Sequence, residues 1–339
     1  MLTSISPLTG NPLPEGGSPL VGIVGPTAAG KSGLAIHLAR LFDGEIVNAD
    51  SLQIYRGMDI GTAKPSVGER EMVPHHLLDV RNPDEVFSAG DYLRMAREVV
   101  REISGRGRLP IVVGGTGFYL KAFLEGLPSG PTADVELRKR LEAREGRRPG
   151  VLHRFLRFKD RAAAMRIHAN DRQKVVRAIE MALLGEARKF EGEELSLPLS
   201  GFRVCLLGLN PVREVLRNQI VKRTEAMFVA GLVEEVERLR GAGYGPQAKA
   251  MESVGYRQVQ EYLEGVRSLD SAREDTTLRT QQYAKRQMTW FRKMENVQWI
   301  EGFGGESAVQ AQAESRLEQF LRGAIKNFSE ERNENFPSS

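Results

Sequence analysis

The sequence has one cysteine, no long hydrophobic run and little net charge, and these shortages exclude several classes of protein. Cys205 is the single cysteine among 339 residues, which excludes an intramolecular disulfide and a cysteine-rich zinc site. No apolar run approaches the roughly 18 residues of a membrane span. Residues 1–18 contain no Arg and lack the apolar core of a signal peptide. We therefore expect a cytoplasmic protein without a membrane segment, beginning with a flexible tail over residues 1–18.

The composition indicates a folded globular chain. It is 41% hydrophobic and 27% charged, which excludes a disordered, collagenous or low-complexity protein. A length of 339 residues fits roughly two domains.

The net charge of +4 conceals a strongly uneven distribution. Residues 138–177 hold 14 Lys or Arg against four acidic residues, and residues 276–294 hold five basic residues, no acidic ones and three aromatics. The rest of the chain is therefore net acidic. Two basic segments favour a polyanionic partner such as nucleic acid, although basic helices with a solvated face would give the same pattern.

Strand and helix patterns alternate over the first third of the sequence. Short apolar runs begin at Leu20, Glu45 and Leu109, and helical spacing follows the first of them and precedes the third. This alternation predicts an α/β fold, with a parallel sheet flanked by helices. Residues 131–199 lack a strand pattern and are predicted as an all-helical insertion. The sheet resumes afterwards, so the predicted core comprises residues 19–130 and 200–302, followed by a C-terminal helix and disordered tail over 303–339.

The segment after the first strand matches the phosphate-binding pattern G-x-x-x-x-G-K-[ST] at every required position. A predicted strand precedes it and a predicted helix follows, which is the context that such a loop requires. Backbone N–H groups would surround phosphate oxygens, with Lys31 neutralising charge and the Ser32 hydroxyl binding Mg²⁺. The predicted phosphate-binding residues are Gly25, Pro26, Thr27, Ala28, Ala29, Gly30, Lys31 and Ser32.

The third strand lacks the carboxylate that ordinary P-loop NTPases place at its end. It continues instead into Gly114-Gly115-Thr116. Asp50 follows the second strand, and the carboxyl ends of neighbouring strands line one crevice in such a sheet. This placement favours Asp50 as a general base and Thr116 as a polar group near the transferred group. Local sequence supports a helix N-cap role for Asp50 equally well.

Three segments together resemble the tRNA dimethylallyltransferases. They are the phosphate loop at residues 25–32, the long motif from Asp50 to Pro65 and the Gly114–Tyr119 turn. The likeness continues through residues 170–180, Arg223 and residues 255–258. One cysteine leaves no cysteine-rich zinc finger, so the chain resembles the bacterial form. The resemblance implies a P-loop NTPase-like core and transfer of a dimethylallyl group from dimethylallyl diphosphate to N6 of adenosine 37 in tRNA.

Site roles follow from the same resemblance. Asp50 would be the general base, assisted by Thr116, while Lys31 and Arg223 hold the leaving diphosphate together with Mg²⁺ at Ser32. The helical insertion would bind the anticodon stem-loop, and we expect a monomer. The implied tRNA contacts are Asp50, Ser51, Leu52, Gln53, Thr116, Arg138, Gln173, Lys174, Val175, Val176 and Arg177.

Lys174 and the adjacent pair His75-His76 are weak evidence for a tRNA contact and a metal site, respectively. Lys174 stands where many members have Arg, which keeps the charge but loses a bidentate contact. His75 and His76 are adjacent in sequence, and adjacent side chains rarely chelate one ion, so a structural role is favoured.

Three alternatives remain open from the residues. They are a prenyltransferase acting on a free adenine nucleotide, a P-loop kinase acting on a metabolite, and an RNA-binding protein whose loop holds nucleotide as a switch. A nucleotide acceptor would not need the basic insertion, and a kinase would need the missing carboxylate. Whether ATP also occupies the loop is left open.

Overall fold

The computed structural model describes residues 17–128, 130, 134–184 and 195–334, with the backbone alone for residues 324–334. The predicted flexible tail falls mainly on residues 1–16, which lie outside the described residues. The polar segment from Asn327, which the sequence predicts as disordered, is helical up to Glu334, and residues 335–339 lie outside the described residues. The chain divides into two compact units, one formed by Met1–Leu124 with Leu199–Ser339 and the other by Glu125–Pro198.

The first unit contains a six-stranded sheet with every pair of neighbouring strands parallel, which confirms the predicted α/β fold. The strand order is β3-β2-β4-β1-β5-β6, so the strand before the phosphate loop lies centrally. The strands are β1 (Ser18–Val24), β2 (Gly44–Asn48), β3 (His75–His76), β4 (Leu109–Val113), β5 (Phe202–Leu209) and β6 (Val297–Ile300).

Helices cover both faces of this sheet, because its central strands are apolar on both sides. Leu20 and Val24 belong to the core on one face, whereas Val21 and Ile23 belong to the core on the other. The helices of this unit are α1 (Lys31–Leu41), α2 (Val67–Met72), α3 (Ala89–Gly105), α4 (Gly117–Glu125), α9 (Arg213–Val229), α10 (Leu232–Gly241), α11 (Tyr256–Leu263), α12 (Leu269–Phe291) and α13 (Ser307–Glu334).

The regular elements of the second unit are all helices in the residues that the structure describes. It contains α5 (Val135–Arg147), α6 (Val151–Lys159), α7 (Arg161–Arg166) and α8 (Arg172–Leu184). Leu141, Leu152, Leu156 and Ile179 form the centre of its own hydrophobic core. A separate core allows this segment to be inserted into the first unit without interrupting the sheet.

Local sequence explains where several helices begin. Ser88 accepts a hydrogen bond from the Asp91 N–H and Asp91 accepts one from the Ser88 N–H, which forms a capping box at the start of α3. No helix in the described part of the chain is both long and apolar enough to cross a bilayer.

Candidate active site

Three neighbouring strands bring the predicted core-site residues to one edge of the sheet. Ile23 of β1 and Asn48 of β2 both lie level with Val113 of β4. The loop after β1 therefore lies beside the turns that begin near Asp50 and Gly114. This edge is where doubly wound sheets bind ligands.

The loop between β1 and α1 has the geometry of a phosphate cradle. Ala28 and Gly30 adopt left-handed φ values of 64° and 82°, which turn the chain tightly into α1. A Cβ on Gly30 would lie 3.0 Å from the backbone nitrogen of Gly304, so a larger residue would displace the loop. Gly30 supplies no capping side chain, which leaves N–H groups at the positive end of the α1 dipole for an anion.

Two cationic side chains approach this loop. Lys31 donates from Nζ to the carbonyl of Pro26 at 2.9 Å, and Arg223 of α9 donates to the Thr27 hydroxyl at 3.2 Å. Burial lowers the pKa of Lys31 from 10.5 to about 8, opposed by the negative charge of Asp50, and burial also lowers the pKa of Arg223. A multiply charged anion beside Lys31 and Arg223 would stabilise the charged forms of both side chains, so the arrangement suits a diphosphate.

Asp50 lies in a turn after β2, where Asn48 fixes its backbone. Asn48 Oδ1 accepts the Asp50 N–H at 3.0 Å, and its Nδ2 donates to the Asp50 carbonyl at 3.1 Å. The Asp50 Oδ1 accepts the Leu52 N–H at 2.9 Å. The following residues form turns and not an α-helix, so Asp50 is not a helix N-cap. Within the described residues Oδ2 has no hydrogen-bond donor, which leaves one carboxylate oxygen to accept a proton.

Thr116 contacts the turn that follows Asp50. Its hydroxyl oxygen accepts the Ser51 N–H at 3.0 Å and lies 3.2 Å from the Ser51 hydroxyl. The hydroxyl that contacts Arg223 belongs to Thr27, a residue of the phosphate loop. Thr116 therefore holds the turn that carries Asp50, while Thr27 is the threonine beside the cation that would meet a diphosphate.

Buried polar contacts shape the long motif after Asp50. Gln53 donates to the carbonyl of Thr62 at 3.1 Å, closing the segment into a loop. Lys64, whose side chain is fully buried, donates to Asp59 at 2.6 Å. Glu235 of α10 accepts the N–H groups of Asp59 and the next two residues, at 3.1, 2.8 and 3.2 Å. Charged side chains that satisfy buried backbone groups explain why this segment holds one conformation.

One helix contributes site residues that the sequence analysis missed. Thr276, Thr280, Tyr283 and Gln287 of α12 share one face at helical spacing and line the same cavity as Asp50. From its charge alone, the segment 276–294 is expected to face a polyanionic partner or solvent. The face that carries these four residues lines the cavity, whereas the five basic residues of the segment are exposed on other faces of the helix and its C-terminal end. A polar stripe at i, i+4, i+7 and i+11 was the available signal.

Burial raises the pKa of Tyr283, and the charge of Asp50 raises it further, so the phenol stays protonated and neutral. The nearby side chains of Thr116 and Gln287 oppose this rise in the pKa. A neutral aromatic side chain thus forms one wall of the cavity near Asp50.

The cavity itself is partly open to solvent and has a volume of about 150 Å³. Thr27, Lys31 and Ser32 line one part of it, and Asp50 and Arg223 also contribute. A phosphate-binding loop, two cations and a carboxylate with a free oxygen therefore face one volume. The site can hold an anionic donor next to an acceptor that loses a proton.

Within the described residues no three His, Cys, Asp or Glu side chains converge as a metal site. His75 contacts the carbonyl of Val73 at 2.8 Å, and His76 contacts Glu45 at 2.6 Å. His75 also lines the cavity, so of the two it is the one near the candidate site.

The predicted tRNA contacts of the helical unit divide into three groups. Glu180, fully buried, accepts from Arg138 at 2.7 Å and from Arg177 at 2.6 Å, so these arginines converge on one carboxylate. Val175 and Val176 are buried in the unit's own core, which removes their side chains from contact with a partner. The exposed predicted contacts are Gln173 and Lys174, the latter paired with Asp171 at 2.7 Å.

Comparison with known proteins gives a consistent family. A family model described as IPP transferase matches residues 53–294. A tRNA dimethylallyltransferase of Solibacter usitatus is 48% identical over 307 residues, covering 89% of this chain and 99% of that protein. A protein of the same name from Koribacter versatilis is 48% identical over 293 residues, covering 86% and 95%.

Solved structures show the same similarity. A tRNA isopentenylpyrophosphate transferase from Bacillus halodurans superposes with a TM-score of 0.67 at 34% identity, covering 93% of this chain and 99% of that one. A eukaryotic dimethylallyltransferase acting on tRNA superposes with a TM-score of 0.71 at 27% identity, covering 91% and 80%.

Proposed function

The chain belongs to the IPP transferase family and is a prenyltransferase that acts on tRNA, and we propose that it moves a dimethylallyl group from dimethylallyl diphosphate to N6 of adenosine 37, beside the anticodon. The observation that carries the proposal is the single cavity in which Lys31, Arg223 and Asp50 meet. We further propose that the reaction takes place in the cytoplasm, where tRNA is found. We also propose that the protein acts as a monomer.

The phosphate loop and its two cations act on the donor. As the bond between C1 and the bridging oxygen breaks, negative charge grows on the departing diphosphate while C1 becomes cation-like. Lys31 and Arg223 face that charge, and the Thr27 hydroxyl lies beside Arg223. Cations placed in advance where charge develops lower the barrier most effectively when the site is partly desolvated.

A magnesium ion fits this donor site. Ser32, the second residue of α1, lines the cavity. Mg²⁺ in proteins commonly uses one or two protein oxygens together with substrate phosphates. We propose that Ser32 holds the ion against the diphosphate. When bound, the ion supplies further positive charge to the leaving group.

Asp50 acts on the acceptor. The N6 amine of adenine is a weak nucleophile because its lone pair is delocalised into the ring. The new N6–C1 bond forms as the C1–oxygen bond breaks, the diphosphate leaves with the bonding electrons, and Asp50 Oδ2 takes the N6 proton. Such general-base assistance is worth about 10²- to 10⁴-fold.

The acceptor base must leave the anticodon stack to enter the cavity, as in other enzymes that modify a base. We propose that the basic helical unit holds the anticodon stem-loop through phosphates, with Gln173, Lys174 and Arg177 among its contacts. RNA loops present unstacked bases more readily than duplexes do, which suits an adenosine beside the anticodon.

The proposal is tested by one incubation with defined products. Protein, Mg²⁺, dimethylallyl diphosphate and unmodified tRNA are incubated, and the digested tRNA is analysed by mass spectrometry for prenylated adenosine. We expect one dimethylallyl group at adenosine 37 and none on free AMP. Equal transfer to AMP would indicate the nucleotide prenyltransferase, phosphate transfer from ATP would indicate a kinase, and tRNA binding without product would indicate an RNA-binding protein.

Replacing Arg177 by Ala tests the assignment of the helical unit. If this arginine meets an RNA phosphate, tRNA affinity falls and the slope of log K against log salt becomes less steep by about 0.7 to 0.9. Arg322→Ala is the matched control, because Arg322 is an exposed arginine of α13 that also pairs with a glutamate, Glu318. An unchanged slope in Arg177→Ala would assign the side chain to holding Glu180.

A further inference from the structure

Gln287 occupies a position between the donor and acceptor halves of the cavity. It lies on α12, and its residue is 5% exposed. The amide oxygen Oε1 accepts the Thr27 N–H at 2.7 Å, and the amide nitrogen Nε2 donates to the Gly115 carbonyl at 2.9 Å. One side chain thus bonds the phosphate loop and the turn after β4, which lie 260 and 172 residues away in sequence.

Each of these two hydrogen bonds connects Gln287 to a segment that also contacts a residue assigned to the reaction. Thr27 contacts Arg223 through its hydroxyl, on the donor side. Gly115 immediately precedes Thr116, whose hydroxyl holds the Ser51 N–H beside Asp50. The Gln287 oxygen is therefore linked through Thr27 to Arg223, which faces the diphosphate. The Gln287 nitrogen is linked through the Gly115–Thr116 turn to the segment that carries Asp50, which faces the acceptor amine.

The turn after β4 is shaped to receive this amide. A Cβ on Gly115 would lie 2.2 Å from Gln287 Nε2, a distance that no side chain could occupy without moving the amide. Gly115 is thus a glycine because Gln287 approaches it. Tyr283, one turn earlier on α12, lines the same cavity.

We propose that Gln287 is a positioning residue that fixes the distance between the phosphate loop and the turn carrying Asp50. This inference rests on the proposed function, because it assigns a role within the same reaction. The physical reason is that attack by N6 on C1 needs both substrates at contact distance, and a misplacement of about 1 Å can cost about 10²-fold in rate. The Gln287 amide uses its acceptor and its donor on the backbone of the two segments, and so sets the distance between them.

The first test compares Gln287→Met with Gln282→Met. Both change a glutamine of α12 to a side chain of similar length without hydrogen bonds, but Gln282 is exposed. We expect Gln287→Met to lower kcat about 10- to 100-fold and to raise the KM for dimethylallyl diphosphate, with tRNA affinity retained. Gln282→Met should match the unmodified protein. Unchanged kinetics in Gln287→Met would overturn the proposal.

The second test uses Gln287→Glu, whose protonated form can replace the amide. A carboxylic acid accepts from Thr27 and donates to Gly115, whereas the carboxylate cannot donate and adds negative charge near the diphosphate. The ratio of kcat/KM in Gln287→Glu to that in the unmodified protein should therefore rise several-fold between pH 8 and pH 6. Melting temperatures are recorded at each pH. A flat ratio, or a ratio that only follows the melting temperature, would show that Gln287 merely supports folding.

The two proposals fail in different ways. If the unmodified protein gives no prenylated adenosine, the proposed function is wrong, whatever Gln287 does. If the unmodified protein is active and Gln287→Met is equally active, the function stands and the positioning role is wrong.

Discussion

Asp50→Asn lowers the single-turnover rate of prenyl transfer by about 10²- to 10⁴-fold, while tRNA and dimethylallyl diphosphate still bind. The amide keeps the size of the carboxylate and can still accept the Leu52 N–H through its oxygen, the contact that Asp50 Oδ1 makes at 2.9 Å. It cannot take the N6 proton. Rapid-quench measurement of product with saturating tRNA isolates this step from binding.

Asp50→Ala completes this comparison, because it removes the contact to Leu52 as well as the base. If Asp50 acts chiefly by holding its turn, Asn should retain most of the rate and Ala should lose it. If Asp50 is the base, the two variants should lose similar activity. A large loss of tRNA affinity in Asp50→Asn would contradict the general-base role, since neither Oδ1 nor the turn is changed.

The sequence could predict those parts of the site that lie next to a strand end. The phosphate loop follows β1 directly, Asp50 lies two residues after β2, and Thr116 lies three residues after β4. A parallel sheet brings such ends together whatever the side chains do. The α/β fold and the helical character of the insertion follow from periodicity for the same reason.

The parts that could not be predicted depend on contacts between distant segments. Gln287 is 260 residues from Thr27 in the chain, and nothing near Gln287 indicates which loop its helix will contact. The basic residues of α12 were visible in the sequence, but periodicity gives the faces of a helix without saying which face is covered. The polar side chains of Thr276, Tyr283 and Gln287 line the cavity, whereas the basic side chains of the segment are exposed to solvent.

Glu180 illustrates the same limit in the helical unit. Counting charge predicts that Arg138 and Arg177 are available to a polyanion. The structure shows that both donate to one fully buried carboxylate, which also accepts the Asp134 N–H at 2.6 Å. A buried carboxylate with this many donors is held in its charged form, and these contacts lower the pKa of Glu180 against the effect of burial. Net charge therefore overestimates the positive charge that Arg138 and Arg177 present to RNA.

Lys31→Met should be as damaging as the loss of the base, and for a different reason. The lysine directs a positive charge at the leaving diphosphate, and removing one such preorganised contact commonly costs about 10²- to 10³-fold in turnover. Lys31→Arg is the control that keeps the charge. Single-turnover rates at saturating donor should fall steeply in Lys31→Met, and a loss confined to donor affinity would show that Lys31 binds ground and transition states equally.

The pH dependence of donor binding tests the same residue in the unmodified protein. Because the pKa of Lys31 is lowered to about 8, the ammonium form predominates below pH 8 and the neutral amine above it. Binding of the diphosphate requires the ammonium form, so binding above pH 8 takes up a proton, and the Kd should rise about tenfold per pH unit. The donor's own phosphate ionisation, near a pKa of about 6, is complete in this range. Lys31→Arg does not titrate there, so its Kd should stay constant from pH 7.5 to 9.5. A constant Kd in the unmodified protein would contradict the lowered pKa, because protonated lysine would then persist over the whole range.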